Sequence, residues 1–290
     1  MSIFVSIAAY RDPELVATVR DCREKAADPD ALRFGICWQH DSDDAPLPWK
    51  EDPCVKVIDV DARESQGACW ARSQVQRLYD GEDYYLQLDS HHRFAYGWDK
   101  RALECLSLTP SPRPILTGYP TPFTPGEPDQ LQKEVYRLIF DRFTDDGIAM
   151  PKAEEIPRGT ESVGGAFLAA GFLMAPGRFV KDVPYDPELY FEGEECTLAI
   201  RAFTHGYDLF YPPEIIVWHE YERKQKPKHW DDHALWHERD ARSKAKIRRF
   251  LTEPMLDGYG VAYGLGLERT FGEYEAFSGL DFKNRRLRAA

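Results

Sequence analysis

Apolar and polar positions are grouped in blocks along this chain. Residues 3–9 (Ile-Phe-Val-Ser-Ile-Ala-Ala) form a short apolar run without polar alternation, the pattern of a strand covered on both faces. Helical spacing follows over 13–27, with Asp12 as an N-cap and Pro13 where a first turn tolerates it. Further strands are predicted at 32–39, 54–60 and 84–88, with a helix over 67–79 between the last two. This alternation across the first 110 residues predicts an α/β fold with a central, mainly parallel sheet, Rossmann-like by the right-handed crossover rule.

The middle of the chain reads differently. Residues 109–128 hold seven prolines and two glycines and predict a loop. Residues 135–143 and 148–150 around Asp145-Asp146-Gly147 predict a hairpin, while Leu131, Val135, Leu138 and Ile139 also fit a helical period over 130–142. A strand is then predicted at 164–174, a helix at 194–205, strands at 207–211 and 214–218, and a long charged helix at 231–251. With no internal repeat, one domain over 1–290 is expected. Its parts are a nucleotide-binding half (1–110), an acceptor and metal half (111–251) and a glycine-rich tail (252–290).

Composition narrows the function. Of 290 residues, 37 are Lys or Arg and 49 Asp or Glu, a net charge of −12 that argues against nucleic acid as a partner. No stretch approaches the roughly 20 apolar residues of a membrane helix, so no membrane partner is expected. Six scattered cysteines without a CxxC pair, and an opening without a secretory leader pattern, predict reduced thiols and a cytoplasmic setting. Oligomeric state is left open.

The sharpest chemical feature is Asp89-Ser90-His91 at the end of the apolar run Tyr84-Tyr85-Leu86-Gln87-Leu88. Ligands of open α/β sheets bind at carboxyl ends of strands, and alternation puts Asp89 and His91 on one side, where both meet one cation. His219, closing the run Ile215-Ile216-Val217-Trp218, completes a two-His, one-carboxylate set suited to Mn²⁺, with Mg²⁺, Zn²⁺ or Fe²⁺ as alternatives. The plain alternatives are a strand-end Asp that caps a turn and a packed rim histidine. His229, His233 and His237, at i, i+4 and i+8, form a rival metal face that reads more readily as packing or a solvated helix side.

Phe191-Glu192-Gly193-Glu194-Glu195 crowds three carboxylates at a helix entry, where the helix dipole stabilises them. Glu194 and Glu195 are the candidate catalytic carboxylates, without an order between them. Ser6, Tyr10, Arg11 and Asp12 at the first strand's end, together with Gly67, Arg72 and Ser90, stand where a nucleotide fold holds base, ribose and phosphates. Arg223 is placed to clamp a pyrophosphate. Neither GxGxxG nor a Walker loop is present, so a dinucleotide or P-loop ATP site is not supported.

These residues, taken in order, resemble a known family. Glu64-Ser65-Gln66-Gly67 … Ala71-Arg72 … Asp89-Ser90-His91, Glu192-Gly193-Glu194-Glu195 … Arg201 and His219 resemble retaining GT-A glycosyltransferases of the polypeptide N-acetylgalactosaminyltransferase type. The opening at 3–13, the stretch 170–177 and the tail 269–282 look more like the cytoplasmic GlcNAc-transferases that modify hydroxyproline on a ubiquitin-ligase adaptor. The resemblance implies a GT-A fold, a Mn²⁺-dependent UDP-sugar site and transfer with retention. It places Arg72 and Arg223 against the diphosphate, and Gly164, Gly165 and residues 192–195 beside the sugar and acceptor. Glu195 stands where the galactosaminyl family has Asn, and Thr197 where it has a second acid. The acceptor is not specified by sequence. A nucleotide-sugar hydrolase and a catalytically silent UDP-sugar binder are the rival functions.

Overall fold

In the computed structural model, the described residues are 1–49, 51–126, 132–159, 161–223, 226–254 and 260–288. The central sheet contains β1 (Ile3–Tyr10), β2 (Leu32–His40), β3 (Val55–Asp61), β4 (Tyr84–Asp89), β6 (Pro114–Thr117), β10 (Val163–Gly165), β11 (Phe172–Pro176) and β12 (Asp208–Tyr211). Their spatial order is β10-β12-β6-β11-β4-β1-β2-β3. Six of these strands run in one direction, while β11 is antiparallel to β4 and β6, and β10 is antiparallel to β12.

Both faces of β1 are covered, which explains its unbroken apolar run. Ile3, Val5 and Ile7 pack with Leu15 and Val19 of α1 (Leu15–Lys25) and Trp98 and Ala102 of α3 (Trp98–Ser107). Phe4 faces the other way, into a cluster with Cys69 and Val75 of α2 (Ala68–Gln76). The same cluster takes in α5 (Glu194–Thr204), α7 (Trp236–Thr252) and α8 (Phe271–Ser278). A three-layer α/β/α sandwich results.

A second sheet positions the site. Its strands are β5 (His92–Phe94), β13 (Val217–His219) and β7 (Thr121–Pro122), with His219 paired to His92. Pairing the strand just past β4 with β13 carries His219 across the chain to the end of β4.

The hairpin forms as β8 (Val135–Phe143) and β9 (Ala149–Ile156), with Gly147 at φ +82° in the turn. β9 runs six residues beyond the expected 150. The helical alternative over 130–142 is replaced by this strand from Val135, while 130 and 131 lie outside the described residues.

Other expectations are corrected. The proline-rich segment is not all loop: Pro114–Thr117 is an interior strand, because Ile115 and Leu116 are fully buried on opposite faces between β11 and β12. Residues 127 and 128 of that segment lie outside the described residues. The single strand expected at 164–174 is two, β10 at the sheet edge and β11 near its centre. The helix expected at 231–251 is broken into α6 (His229–Asp232) and α7, with His233 turned to meet the Ala62 carbonyl at 3.0 Å. The tail contains α8 and a small β14–β15 pair (Leu280–Asp281, Arg286–Leu287); residues 255–259 lie outside the described residues.

Candidate functional site

Asp89 ends β4, His91 follows two residues on, and His219 ends β13. One potential ligand atom from each lies within 4.8 Å of the other two, the one such triad among the described residues. His219 Nε2 sits 3.3 Å from Asp89 Oδ2. Burial lowers the His219 pKa and favours the neutral imidazole, which is the ligating form. Its Nδ1 is buried without a partner among the described residues.

His91 Nδ1 is 2.8 Å from Asp12 Oδ2, a carboxylate that also accepts from the Ser90 hydroxyl and lies 3.0 Å from Arg223 Nη2. Burial alone raises Asp12, but His91 and Arg223 outweigh it and hold the group below the usual carboxylate range. An anion on Nδ1 fixes the His91 ring and leaves Nε2 for a cation, the orienting role that carboxylates play behind ligating histidines.

Space for the cation is built in. A Cβ added to Gly171 would lie 3.0 Å from Asp89 Oδ2 and 3.9 Å from His219 Nε2. The donor set, the neutral His219, the braced His91 and this cradle together fit a divalent ion.

Arg72, on α2, joins the triad to the acidic cluster. Its Nη2 donates to Asp89 Oδ1 at 2.8 Å and its Nη1 to Glu194 Oε1, while the Cys69 thiol donates to Glu194 Oε2 at 2.7 Å. Arg72 and Glu194 are both buried. Burial also raises Asp89, yet His219 and Arg72 keep it well below the ordinary carboxylate range. Glu195 is different: its Oε1 accepts from the Ala170 amide at 2.8 Å, and burial pushes it up to about 7. Gly193, which caps α5 at φ +92°, is obligatory there, because a Cβ would meet Ile148 and Ile247 at 2.8 Å.

Two chambers meet at Arg72 and Asp89. The first, about 1150 Å³ counting its open mouth, is lined by Tyr10, Gly67, Ser90, His91, His219 and Arg223 among others. The second, about 1240 Å³ on the same measure, lies between the β8–β9 hairpin and residues 190–196, with Trp230 and Trp236 on its wall. Tyr190, Phe191 and Trp230 line both. Tyr10 and Arg11, at the end of β1, both bind Asp232, at 2.7 and 2.8 Å, and so fasten α6 over the first chamber. Arg11 adopts φ +44° to do so.

The structure thus brings Tyr10, Gly67, Arg72, Asp89, Ser90, His91, His219 and Arg223 to one chamber and Glu194 and Glu195 to the other. Arg11 stands behind the rim. Ser6 and Gly165 are not brought there. Ser6 is buried inside β1 beneath the Tyr85 hydroxyl, and a Cβ on Gly165 would meet the Tyr211 ring at 2.3 Å, a packing demand. His229 and His233 stack at 3.9 Å between centroids against Tyr10, with His229 on the wall of the first chamber. Sequence reasoning missed the bracing role of Asp12, the cradle at Gly171 and the aromatic wall of Tyr190 and Trp230. The signals available were an acid beside the first strand, one glycine inside an apolar run, and aromatics next to the charged clusters.

Comparison with known proteins is consistent with this geometry. The family model described as Glycosyltransferase (GlcNAc) matches residues 2–52 and 50–284. A search of curated proteins finds no match. Among solved structures, the crystal structure of GalNAc-T7 with UDP, GalNAc and Mn²⁺ superposes with a TM-score of 0.60 at 15% identity, covering 96% of this chain and 53% of that one. S. aureus TarS 1-349 gives 0.50 at 13% identity, over 87% of this chain and 73% of that one. The chain spans about half the length of the first of these. At such identities the likeness is one of fold, and the fold is GT-A. Among the described residues, no helix is long and apolar enough to cross a membrane.

Proposed function

The chain belongs to the GlcNAc glycosyltransferase family, and from that premise we propose that it moves a sugar from a UDP-sugar to an acceptor hydroxyl with retention of configuration. One observation carries the reading: a two-His, one-carboxylate set stands where two chambers meet, with a buried arginine beside it. The donor nucleotide occupies the first chamber and the sugar and acceptor the second. UDP-GlcNAc is the donor of first choice, and a protein hydroxyproline is the first acceptor to try. The GalNAc-T7 structure, with UDP and Mn²⁺, supports the donor class and the metal. Six unpaired thiols support a reducing, cytoplasmic setting.

Asp89, His91 and His219 would hold Mn²⁺ or Mg²⁺, which when bound supplies Lewis-acid stabilisation to a departing diphosphate. The chain's own residues do the rest. Arg72 and Arg223 present cationic donors to the diphosphate as negative charge builds on it. Glu194 fixes Arg72, and Asp12 fixes His91 and lies against Arg223, so these groups are ordered before substrate arrives. Both Glu194 oxygens are engaged, by Arg72 and Cys69, which suits a positioning carboxylate better than a nucleophile. Attack therefore comes from the acceptor hydroxyl on the leaving-group face. The C1–O bond to UDP breaks, the new C1–O bond forms, and the hydroxyl proton passes to the departing phosphate oxygen. Glu195, in the second chamber, is the carboxylate available to the acceptor side.

Calorimetric titration of UDP into metal-stripped protein, with and without Mn²⁺, tests the reading. Tight binding that requires Mn²⁺ is expected. Absence of binding in both conditions would remove the assignment of Asp89, His91 and His219. Release of free sugar at a rate indifferent to acceptor would make the protein a hydrolase, and intact donor after long incubation a silent binder.

A further inference from the structure

A third cavity, about 550 Å³ with its mouth, lies between α5, α7 and residues 262–264, and shares no lining residue with the two chambers. Arg201 stands in its wall, about two turns along α5 from Glu194. This side chain is 3% exposed. Its Nε donates to the Gly264 carbonyl at 3.3 Å, and its Nη2 is buried with no hydrogen-bond partner among the described residues. A buried guanidinium short of an acceptor is costly, and native structures seldom leave one so.

The nearby counter-charge is already used. Asp186 Oδ2 is 2.6 Å from Lys246 Nζ, and Asp186 Oδ1 accepts the Glu188 amide at 3.0 Å. Burial draws Arg201 down to about 10, which leaves it a cation at neutral pH. Arg201 and Lys246 each lie 5.9 Å from the centre of the Tyr263 ring, so two cations border one aromatic at the cavity. Tyr263 sits at φ +65°, a conformation that L side chains rarely adopt. Asp186, paired with Lys246, and Thr197, whose hydroxyl donates to the Glu194 carbonyl, also line the cavity, and the rest of its wall is mainly apolar, with Leu189, Ile247 and Phe250.

We propose that this cavity is a second ligand site, which receives a small organic oxyanion. The anionic head meets Arg201 Nη2 with Lys246 nearby, and an apolar body lies against Leu189, Ile247 and Phe250. Carboxylates and phosphate monoesters share this chemistry. The site is apart from the donor chamber, so its occupant binds without displacing UDP.

Benzoate and phenyl phosphate carry one apolar body on the two head groups, and calorimetric titration of each into the full chain tests the site. Saturable binding of at least one is expected, and whichever binds identifies the head group. Its Kd should rise at least tenfold in Arg201→Met. Because Arg201 is buried and that variant could misfold, Ala262→Trp at the exposed mouth supplies the second arm and should weaken binding equally while leaving the thermal midpoint unchanged. Arg223→Met, in the donor chamber, should bind as the parent does. No binding of either probe would overturn the proposal, as would unchanged affinity in Ala262→Trp or loss of binding in Arg223→Met.

Discussion

Replacing Glu194 separates a positioning role from a reacting one. Glu194 and Arg72 are about as buried as core residues, with side chains 7% and 6% exposed, and Arg72 has one other carboxylate partner, Asp89 at 2.8 Å. Removing one partner from a buried ion pair typically costs about 3–5 kcal/mol. In Glu194→Gln the amide oxygen still accepts from Arg72 and Asp89 still offers a charge, so about 2 kcal/mol is expected. Glu194→Ala loses both and opens a void, so about 4 kcal/mol is expected. For a chain of this length each kcal/mol moves Tm by about 2–3 °C, which gives drops of about 5 and 10 °C. Arg72, deprived of Glu194, leans on Asp89 and competes with the cation for it. Mn²⁺ affinity should therefore fall about tenfold in Glu194→Gln, and UDP affinity with it. Thermal denaturation, Mn²⁺ titration and turnover should be measured on the same preparations. A variant with Tm unchanged within 1 °C and Mn²⁺ affinity unchanged, but with turnover lost, would refute the reasoning and put Glu194 on the reacting sugar.

Three further outcomes are expected. Glu195 is raised to about 7 in the fold, so between pH 4.5 and 7 the native state binds more protons than the unfolded chain. Stability of the metal-free protein should consequently fall as pH rises through that window, by at most about 3 kcal/mol. Glu195→Gln should flatten that slope in chemical denaturation; an identical slope would show that another group sets it. Asp12→Asn removes the negative charge behind His91, though its amide oxygen still accepts a hydrogen bond, and should weaken Mn²⁺ binding about tenfold. An unaltered Mn²⁺ isotherm would show that the Asp12 charge is not the brace. Gly171→Ala puts a methyl 3.0 Å from Asp89 Oδ2. It should abolish Mn²⁺-dependent UDP binding while Tm stays within a few degrees, and full retention of binding would move the cation elsewhere.

Much of this was legible in the residues. The blocks at 3–9, 32–39, 54–60 and 84–88 are long enough for period and length to mark strands, and each is one. The triad was also readable, because Asp89, His91 and His219 each close an apolar run. What escaped depends on distant partners. Ile115 and Leu116 are two apolar residues among prolines, too few for any period, and only β11 and β12 make them a strand. Helical spacing over 231–251 ignores the pull of the Ala62 carbonyl on His233. Ser6 looked like a ligand-side residue because it lies on the first strand, and Gly165 because the family resemblance put it beside the sugar. Ser6 is instead buried under the Tyr85 hydroxyl, and Gly165 packs against the Tyr211 ring. Asp12 suits an N-cap by local rules, but α1 begins at Leu15 with Glu14 at its N-cap, and Asp12 instead accepts the Glu14 amide at 3.0 Å in the turn before the helix. Its second oxygen is the one that reaches His91, 79 residues away.

Two strands of the sheet run against their neighbours, β10 at the edge and β11 near the centre. Parallel strands offer only their carboxyl ends at the ligand rim, so every loop there must leave a strand. The reversed β11 adds a strand beginning to the same rim, and its entering loop passes Gly171 beside Asp89, whose amide donates to the Gly171 carbonyl at 3.3 Å. The width of the proposed cation cradle is therefore written in the approach to β11, while the carboxylate that faces it is written in the exit from β4. Size and charge of the occupant are held in separate stretches of chain, and either can be altered with the other left in place.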